Sequence, residues 1–344
     1  MKQEILAHCY HIVETYLSIS TNVTSELPII HETQQRIQET KSVFLERILP
    51  FWNPVLNNIS ISYNGGKDCQ VLLIIYLACL YEFFQNRFSM QQAYLDNFQV
   101  NGVYIKQYET FHILENFVLN SAQYYDLNMY TTQVGQNMKD SLREYLGHLN
   151  LKDYNQTRED ENERDWDLDG VEMGNLQKIK STHERQEIQK DHHGVIIGIR
   201  RSDPYALDLK EIQRTDADWP CFTRLQPLLE WKLQNVWSFL LFSNDPFCKL
   251  YELGYTSIGG IKTTLKNPKL NKKDNKNLWN HFHWELEHAY VTETHDTHAP
   301  FLEVYKQEDT LVQSDIDHDL VCNDTSYYPG WYLISDKQER DGRI

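Results

Sequence analysis

The segment Ser62-Tyr63-Asn64-Gly65-Gly66-Lys67-Asp68 places phosphate-binding residue types within one tight turn. Two adjacent glycines let backbone N–H groups converge on an anion, and a helix starting just after them would add the partial positive charge of its N-terminus. The GxxxxGK[ST] spacing of a Walker A loop and the GxGxxG of a dinucleotide fold are both missing, so those two phosphate-binding classes are set aside. Taken alone, the same residues also describe an ordinary strand-to-helix turn in which Asp68 complements the helix dipole.

A second cluster follows at Gly198-Ile199-Arg200-Arg201-Ser202-Asp203-Pro204. Two arginines beside an aspartate suit a phosphate and metal site, although Ser-Asp-Pro equally starts a surface turn with solvated arginines. Thr294-His295-Asp296-Thr297-His298 and Asp191-His192-His193 lack a nearby Cys or a third ligand at zinc spacing, and read as loop histidines.

The elements that must position these residues alternate along the chain. Apolar spacing predicts helices over residues 2–17 and 31–49, then a strand over 58–63 and a buried helix over 71–84. Strands at 100–105, 127–131 and 194–199 alternate with helices at 110–122 and 136–149, which indicates a mostly parallel sheet covered on both faces. In such a sheet ligands collect at the carboxyl ends of the strands, so both clusters can share one crevice. Residues 152–191 are polar and poor in large apolar side chains, a solvated or disordered insertion. A helix is predicted at 228–242 and a long ordered loop at 254–270. The tail runs from Trp331-Tyr332-Leu333-Ile334 into Glu339-Arg340-Asp341-Gly342-Arg343.

The formal net charge of -16 leaves no broad basic face for a nucleic-acid backbone, so a bound polyphosphate must rely on local cations, backbone amides and a divalent metal. Six scattered cysteines without a CxxC pair read as reduced thiols. No apolar run is seen to reach the ~18–20 residues of a membrane helix, and the first residues lack a signal or an arginine-rich presequence. A cytoplasmic protein with no membrane or nucleic-acid partner is expected, and a monomer.

The loop at 62–68 resembles the PP-loop of the adenine nucleotide α-hydrolase-like superfamily, whose members split ATP between its α and β phosphates. The fuller set of segments resembles the eukaryotic, especially fungal, FAD synthetase (FMN adenylyltransferase) branch, which is similar to PAPS reductase. Those segments are residues 198–205, 212–216, 219–220, 224–228, 254–259, 267–268 and 327–343. The resemblance covers most of the chain from about residue 50, apart from the insertion, which is longer than expected in this branch. It implies a single α/β domain over 1–344: a Rossmann-like, mostly parallel sheet with helices on both faces, N-terminal helices in 1–50, the insertion at 152–191 and a C-terminal segment, 200–344, bearing the flavin and arginine residues.

The resemblance also implies the site. Ile61, Ser62, Asn64, Gly65, Gly66, Lys67, Asp68, Ile105, Ile199 and Arg200 would bind ATP, the glycine loop and Lys67 holding the phosphates that leave as pyrophosphate. Asp216, Ala217, Asp218, Trp219, Arg224 and Arg343 would receive the flavin, with the Trp219 indole suited to stack on isoalloxazine. Asn64, Asp68, Asp203, Arg340 and Arg343 would act on the reacting phosphates, and Asp68 and Asp203 would ligate Mg²⁺. The expected reaction is attack of an FMN phosphate oxygen on the α-phosphorus of ATP, giving FAD and pyrophosphate by positioning and charge stabilisation, without a covalent intermediate or a general base. Rival readings are a sulfonucleotide reductase, a base-modifying ATPase and a non-catalytic flavin or nucleotide sensor. The reductases carry a C-terminal Glu-Cys-Gly, whereas Cys322 lies in Val321-Cys322-Asn323.

Overall fold

A computed structural model describes residues 3–20, 28–52, 58–88, 98–149, 193–291 and 325–344. The insertion at 152–191, the histidines at 295 and 298, and Cys322 lie outside the described residues. The chain opens with helices α1 (Gln3–Ser18) and α2 (Pro28–Ser42), the latter continuing into a π-helical turn at Val43–Ile48. Strand β1 (Ile59–Ser62) leads into α3 (Lys67–Phe88), and β2 (Val100–Tyr104), α4 (His112–Tyr124), β3 (Leu127–Thr131) and α5 (Met138–His148) follow in alternation. Beyond the insertion come β4 (Gly194–Ile197), β5 (Ile212–Arg214), β6 (Thr223–Leu225), α6 (Leu233–Ser243) and the short α7 (His283–Glu287).

The six strands are ordered β3-β2-β1-β4-β6-β5, all parallel except β5, which pairs antiparallel with β6 at the edge. Strand β1 sits centrally, pairing Ser60 with Asn101 of β2 on one side and Val195 of β4 on the other. Strand order reverses at β1, and the crevice beyond the carboxyl ends of β1 and β4 is therefore the expected ligand position.

Helix α3 explains itself by burial on every side. Residues 71–80 are all buried, packed among helices α1, α2 and α6 and the sheet, so this stretch of the helix has no polar face. Its stretch Lys67–Gln85 is long and apolar enough by composition to cross a membrane, which corrects the expectation from sequence; here that apolarity fills the main core. A smaller apolar cluster of Val103, Leu142, Tyr145, Leu146, Val195 and Phe222 covers the opposite face, with Ile105, Ile197 and Trp219 at its margin.

Three local differences from the sequence reading have physical causes. Helix α6 begins at Leu233, not 228, because Leu228, Leu229 and Trp231 are buried in the preceding turn and Trp231 Nε1 donates to Thr40 Oγ1 at 2.9 Å. The Leu233 N–H then donates to Asp336 Oδ1 at 2.8 Å, so the tail caps the helix. Strands β5 and β6 span three residues each, too short to leave an alternation signal.

Candidate active site

The glycine loop leaves the carboxyl end of β1 and enters α3, and sequence dictates its shape. Gly65 has φ +70°, and a Cβ there would lie 2.8 Å from Val118 Cγ2 and 3.0 Å from Leu114 Cδ1 on α4. The Gly66 N–H donates to Asn64 Oδ1 at 2.9 Å and the Lys67 N–H to the Tyr251 hydroxyl at 3.0 Å. Asn64 is exposed at the tip, while Ile61 is buried and Ser62 half-buried behind it.

Beneath the loop lies a cluster of buried charges. The Lys67 side chain is 2% exposed; its Nζ reaches Asp68 Oδ2 and the Thr256 carbonyl, each at 3.1 Å, and Glu339 Oε1. Arg200 is fully buried and faces three carboxylates: Nε is 2.6 Å from Asp68 Oδ1, one terminal nitrogen is 2.8 Å from Asp336 Oδ1, and the other is 2.5 Å from Glu339 Oε2. Burial alone would lower the pKa of Lys67 and Arg200, yet the surrounding carboxylates, Asp68 and Glu339 above all, hold both above their ordinary values. Burial would likewise raise Asp68, but Arg200 and Lys67 outweigh it and keep its carboxyl below the usual range. Lys67 and Arg200 thus direct their charged ends into this cluster, bracing the loop against the tail.

Asp203 stands apart from that balance. Its Oδ2 accepts the Arg200 backbone N–H at 3.0 Å, and among the described residues the one cation within 4 Å of its Oδ1 is Arg340, at 3.9 Å. Burial, and then the charge of Asp68, push its pKa up.

The tail is fastened at both ends. Trp331 packs edge-on against Trp237 and Phe247, and Leu333 is buried. Further on, the Leu265 N–H donates to the Gly342 carbonyl at 2.7 Å, Arg343 bridges to Thr264, and the Ile344 N–H donates to Thr263. This clamp lays the Arg343 guanidinium over Gly259, where a Cβ would come within 2.3 Å of it. Arg343 is half-buried and pairs with no carboxylate among the described residues. Desolvation, and then the charge of Arg340, push its pKa down. A half-buried guanidinium with no carboxylate partner among the described residues, close enough to Arg340 to feel its charge, is suited to an anion.

The remaining sequence-derived residues border the same strand ends. Ile105 and Ile199 are half-buried beyond β2 and β4. Asp216, Ala217 and Asp218 are exposed in a turn closed by the Trp219 N–H donating to the Asp216 carbonyl, and Trp219 lies half-buried against the smaller apolar cluster. Asp218 meets Lys139, the second residue of α5, at 3.2 Å. Arg224 is turned toward Asp216 at 3.6 Å and the Arg214 carbonyl at 3.1 Å, rather than toward the tail arginines.

Sequence reasoning missed Tyr251, Thr256, Asp336 and Glu339. Thr256 Oγ1 donates to the Glu339 carbonyl at 2.6 Å and accepts from Asn267 Nδ2 at 2.9 Å, which gives the loop at 254–270 its task of gripping the tail. Nothing in the residue types marks Glu339 as buried, since its neighbours Lys337 and Arg340 are exposed. Among the described residues no cluster of three His, Cys, Asp or Glu side chains could hold a metal. His193 is buried against Ser60 Oγ at 2.7 Å, with its pKa lowered by burial to about 4. Cys69, beside the loop, has its thiol pushed up by burial to about 12, so it is no nucleophile at neutral pH.

The profile of the phosphoadenosine phosphosulfate reductase domain matches residues 58–266. A flavin adenine dinucleotide synthase of Saccharomyces cerevisiae is 38% identical over 98% of this chain and 96% of its own length. A crystal structure of Candida glabrata FMN adenylyltransferase in complex with FAD and inorganic pyrophosphate superposes with a TM-score of 0.76 at 36% identity, covering 99% of this chain and 97% of that one. Another, of the same enzyme with FMN and the ATP analogue AMPCPP, gives 0.73 at 34% identity over 99% of both chains.

Proposed function

We infer, from a chain that belongs to the phosphoadenosine phosphosulfate reductase domain family and within it to the fungal FAD synthases, that this protein joins the AMP half of ATP to FMN, giving FAD and pyrophosphate. The observation that supports the site assignment is the pair Arg340 and Arg343: Arg340 follows Glu339, the partner of Lys67 beneath the glycine loop, and Arg343 is clamped over Gly259 with no carboxylate partner among the described residues. Such a pair gains an anion at little reorganisation cost, which is what a reaction between two polyanions requires.

In this reading the loop at 62–68 and the N-terminus of α3 receive the phosphates of ATP, while the apolar strand ends at Ile61, Ile105 and Ile199 border adenine. Asp216, Ala217, Asp218 and Trp219 receive the flavin, with the indole supplying a flat apolar surface. FMN then presents a phosphate oxygen to the α-phosphorus from the side opposite the leaving pyrophosphate, and the new P–O bond forms as the α–β bridge breaks. The FMN phosphate is already ionised near neutral pH, so no side chain has to remove a proton. Arg340 and Arg343 spread the charge of the phosphates, and Lys67 and Arg200 hold the wall on which they stand. Rotation of the exposed Asn64 side chain would free the Gly66 N–H from Asn64 Oδ1 to donate to a phosphate oxygen instead.

Mg²⁺ belongs to this proposal through Asp203 and not through Asp68. Asp68 is already neutralised by two cations, Lys67 at Oδ2 and Arg200 in ion-pair contact at Oδ1, whereas Asp203 Oδ1 accepts no hydrogen bond among the described residues and a cation would relieve its repulsion with Asp68. One carboxylate together with substrate phosphates is an ordinary Mg²⁺ donor set. Bound there, the ion would offset charge on the pyrophosphate.

The test is to incubate purified protein with ATP, FMN and Mg²⁺ and follow FAD and pyrophosphate by chromatography. Equimolar appearance of both supports the reading. Flavin binding without FAD would make the protein a sensor, and ATP hydrolysis without FAD would make it another PP-loop enzyme.

A further inference from the structure

A line of buried polar groups runs from the first helix to the glycine loop and takes no part in the chemistry above. His8 Nε2, on α1, donates to Asp245 Oδ1 at 2.9 Å. The Tyr125 hydroxyl donates to Asp245 Oδ2 at 2.7 Å and accepts from Gln70 Nε2 at 2.8 Å. Gln70 Oε1 in turn accepts from the Tyr63 hydroxyl at 2.6 Å. Asp245, Tyr125, Gln70 and Tyr63 are each no more than 2% exposed. Tyr63 immediately precedes Asn64, and Gln70 lies in the first turn of α3, so the line ends on both flanks of the loop.

Asp245 is expensive where it stands. It is buried just past the C-terminal end of α6, where the helix dipole disfavours a negative charge, and the chain reaches it through Asn244 in the left-handed conformation, φ +55°. Its Oδ2 accepts from Tyr125, and that bond sets the direction of the line: with its proton given to Asp245, the Tyr125 oxygen accepts the Gln70 amide, and the Gln70 carbonyl faces Tyr63. One orientation of Gln70 is thereby selected, and hydrogen bonds aligned head to tail strengthen one another in a low-dielectric interior.

We propose that Asp245 is a positioning residue for ATP, acting through Tyr125 and Gln70 to hold Tyr63 and the first turn of α3 in the phosphate-binding shape of the loop. This rests on the loop being the ATP phosphate site. A purely structural role would make the line one more tie between helices, and the protein contains such a tie for comparison. Tyr16, equally buried on α1, bonds Ser238 Oγ at 2.6 Å, and Ser238 donates to Glu285, a path that makes no hydrogen bond to the loop among the described residues.

Tyr125→Phe and Tyr16→Phe each delete one hydroxyl from a fully buried tyrosine. ATP affinity of the full-length protein is measured by calorimetry, with unfolding midpoints and the KM for FMN alongside. Both variants are expected to lose a similar amount of stability, while only Tyr125→Phe weakens ATP binding, by about fivefold, the worth of one hydrogen bond; the KM for FMN stays unchanged in both. Asp245→Asn, of equal volume, is expected to behave as Tyr125→Phe does and serves if that variant folds poorly. Wild-type ATP affinity in Tyr125→Phe and Asp245→Asn, or an equal loss in Tyr16→Phe, overturns the proposal while leaving the ATP site in place. Failure of the wild-type protein to bind ATP overturns both together.

Discussion

Replacing Glu339 with Gln tests whether the tail is held by charge or merely by apolar packing. The side chain is 6% exposed, and it serves two cations that are themselves 2% and 0% exposed. Losing both partners of a buried cation would cost ~3–5 kcal/mol, but Lys67 keeps Asp68 and the Thr256 carbonyl, and Arg200 keeps Asp68 and Asp336. Glutamine also keeps one accepting oxygen while turning an NH₂ group toward a cation. The expected loss is therefore that of one to two charge-assisted hydrogen bonds, about 2–4 kcal/mol of unfolding free energy. Urea titration followed by tryptophan fluorescence measures it, because Trp237 and Trp331 sit where the tail docks. Turnover is expected to fall in the same variant, since Arg340 follows Glu339 directly in sequence. A stability change within about 0.5 kcal/mol, the range of an ordinary surface substitution, would refute the charge-cluster account.

Arg343→Met is expected to have the opposite partition: a fall in FAD formation of at least ~10-fold, equal to ~1.4 kcal/mol of transition-state stabilisation, with an unfolding midpoint unchanged or raised because a desolvated, repelled charge has been removed. Steady-state kinetics and a thermal melt on one preparation check both halves. Gly65→Ala forces a side chain into φ +70° and against Val118, and is expected to cost about 1–3 kcal/mol while weakening ATP binding more than FMN binding; equal changes in the two affinities would count against the loop as the ATP site. Asp203 binds its proton more tightly folded than unfolded, so it lowers stability as pH rises through the interval from ~3.9 up to its raised folded value. Asp203→Asn should flatten the stability curve in that interval and reduce the Mg²⁺ dependence of turnover, read from urea midpoints at several pH values and from a metal titration.

The parts of the fold legible in the sequence were those whose burial imposes a period. Strands β1 to β4 and helices α3 to α5 alternate because each apolar run must close one layer of a parallel sheet, and the loop at 62–68 is marked by glycines that a positive φ and a close approach to α4 demand. The extent of α3 shows the limit of that reasoning. A helix buried all round has no polar stripe, so its composition is the same as that of a membrane span and only its neighbours α1, α2 and α6 distinguish the two. The charge cluster was illegible for a related reason. Lys67, Asp68, Arg200, Asp336 and Glu339 come from three distant places in the chain, and whether a charged residue faces solvent or another charge depends on contacts between them that no local spacing encodes. Reading Lys67 and Arg200 as direct phosphate ligands follows naturally from their types beside a glycine turn. In the structure both side chains engage Glu339, Lys67 through Oε1 and Arg200 through Oε2, in the tail segment that carries Arg340 and Arg343. The tail is thus fastened from within by two cations set among three carboxylates, Asp68, Asp336 and Glu339, while Arg343 near its end pairs with no carboxylate among the described residues.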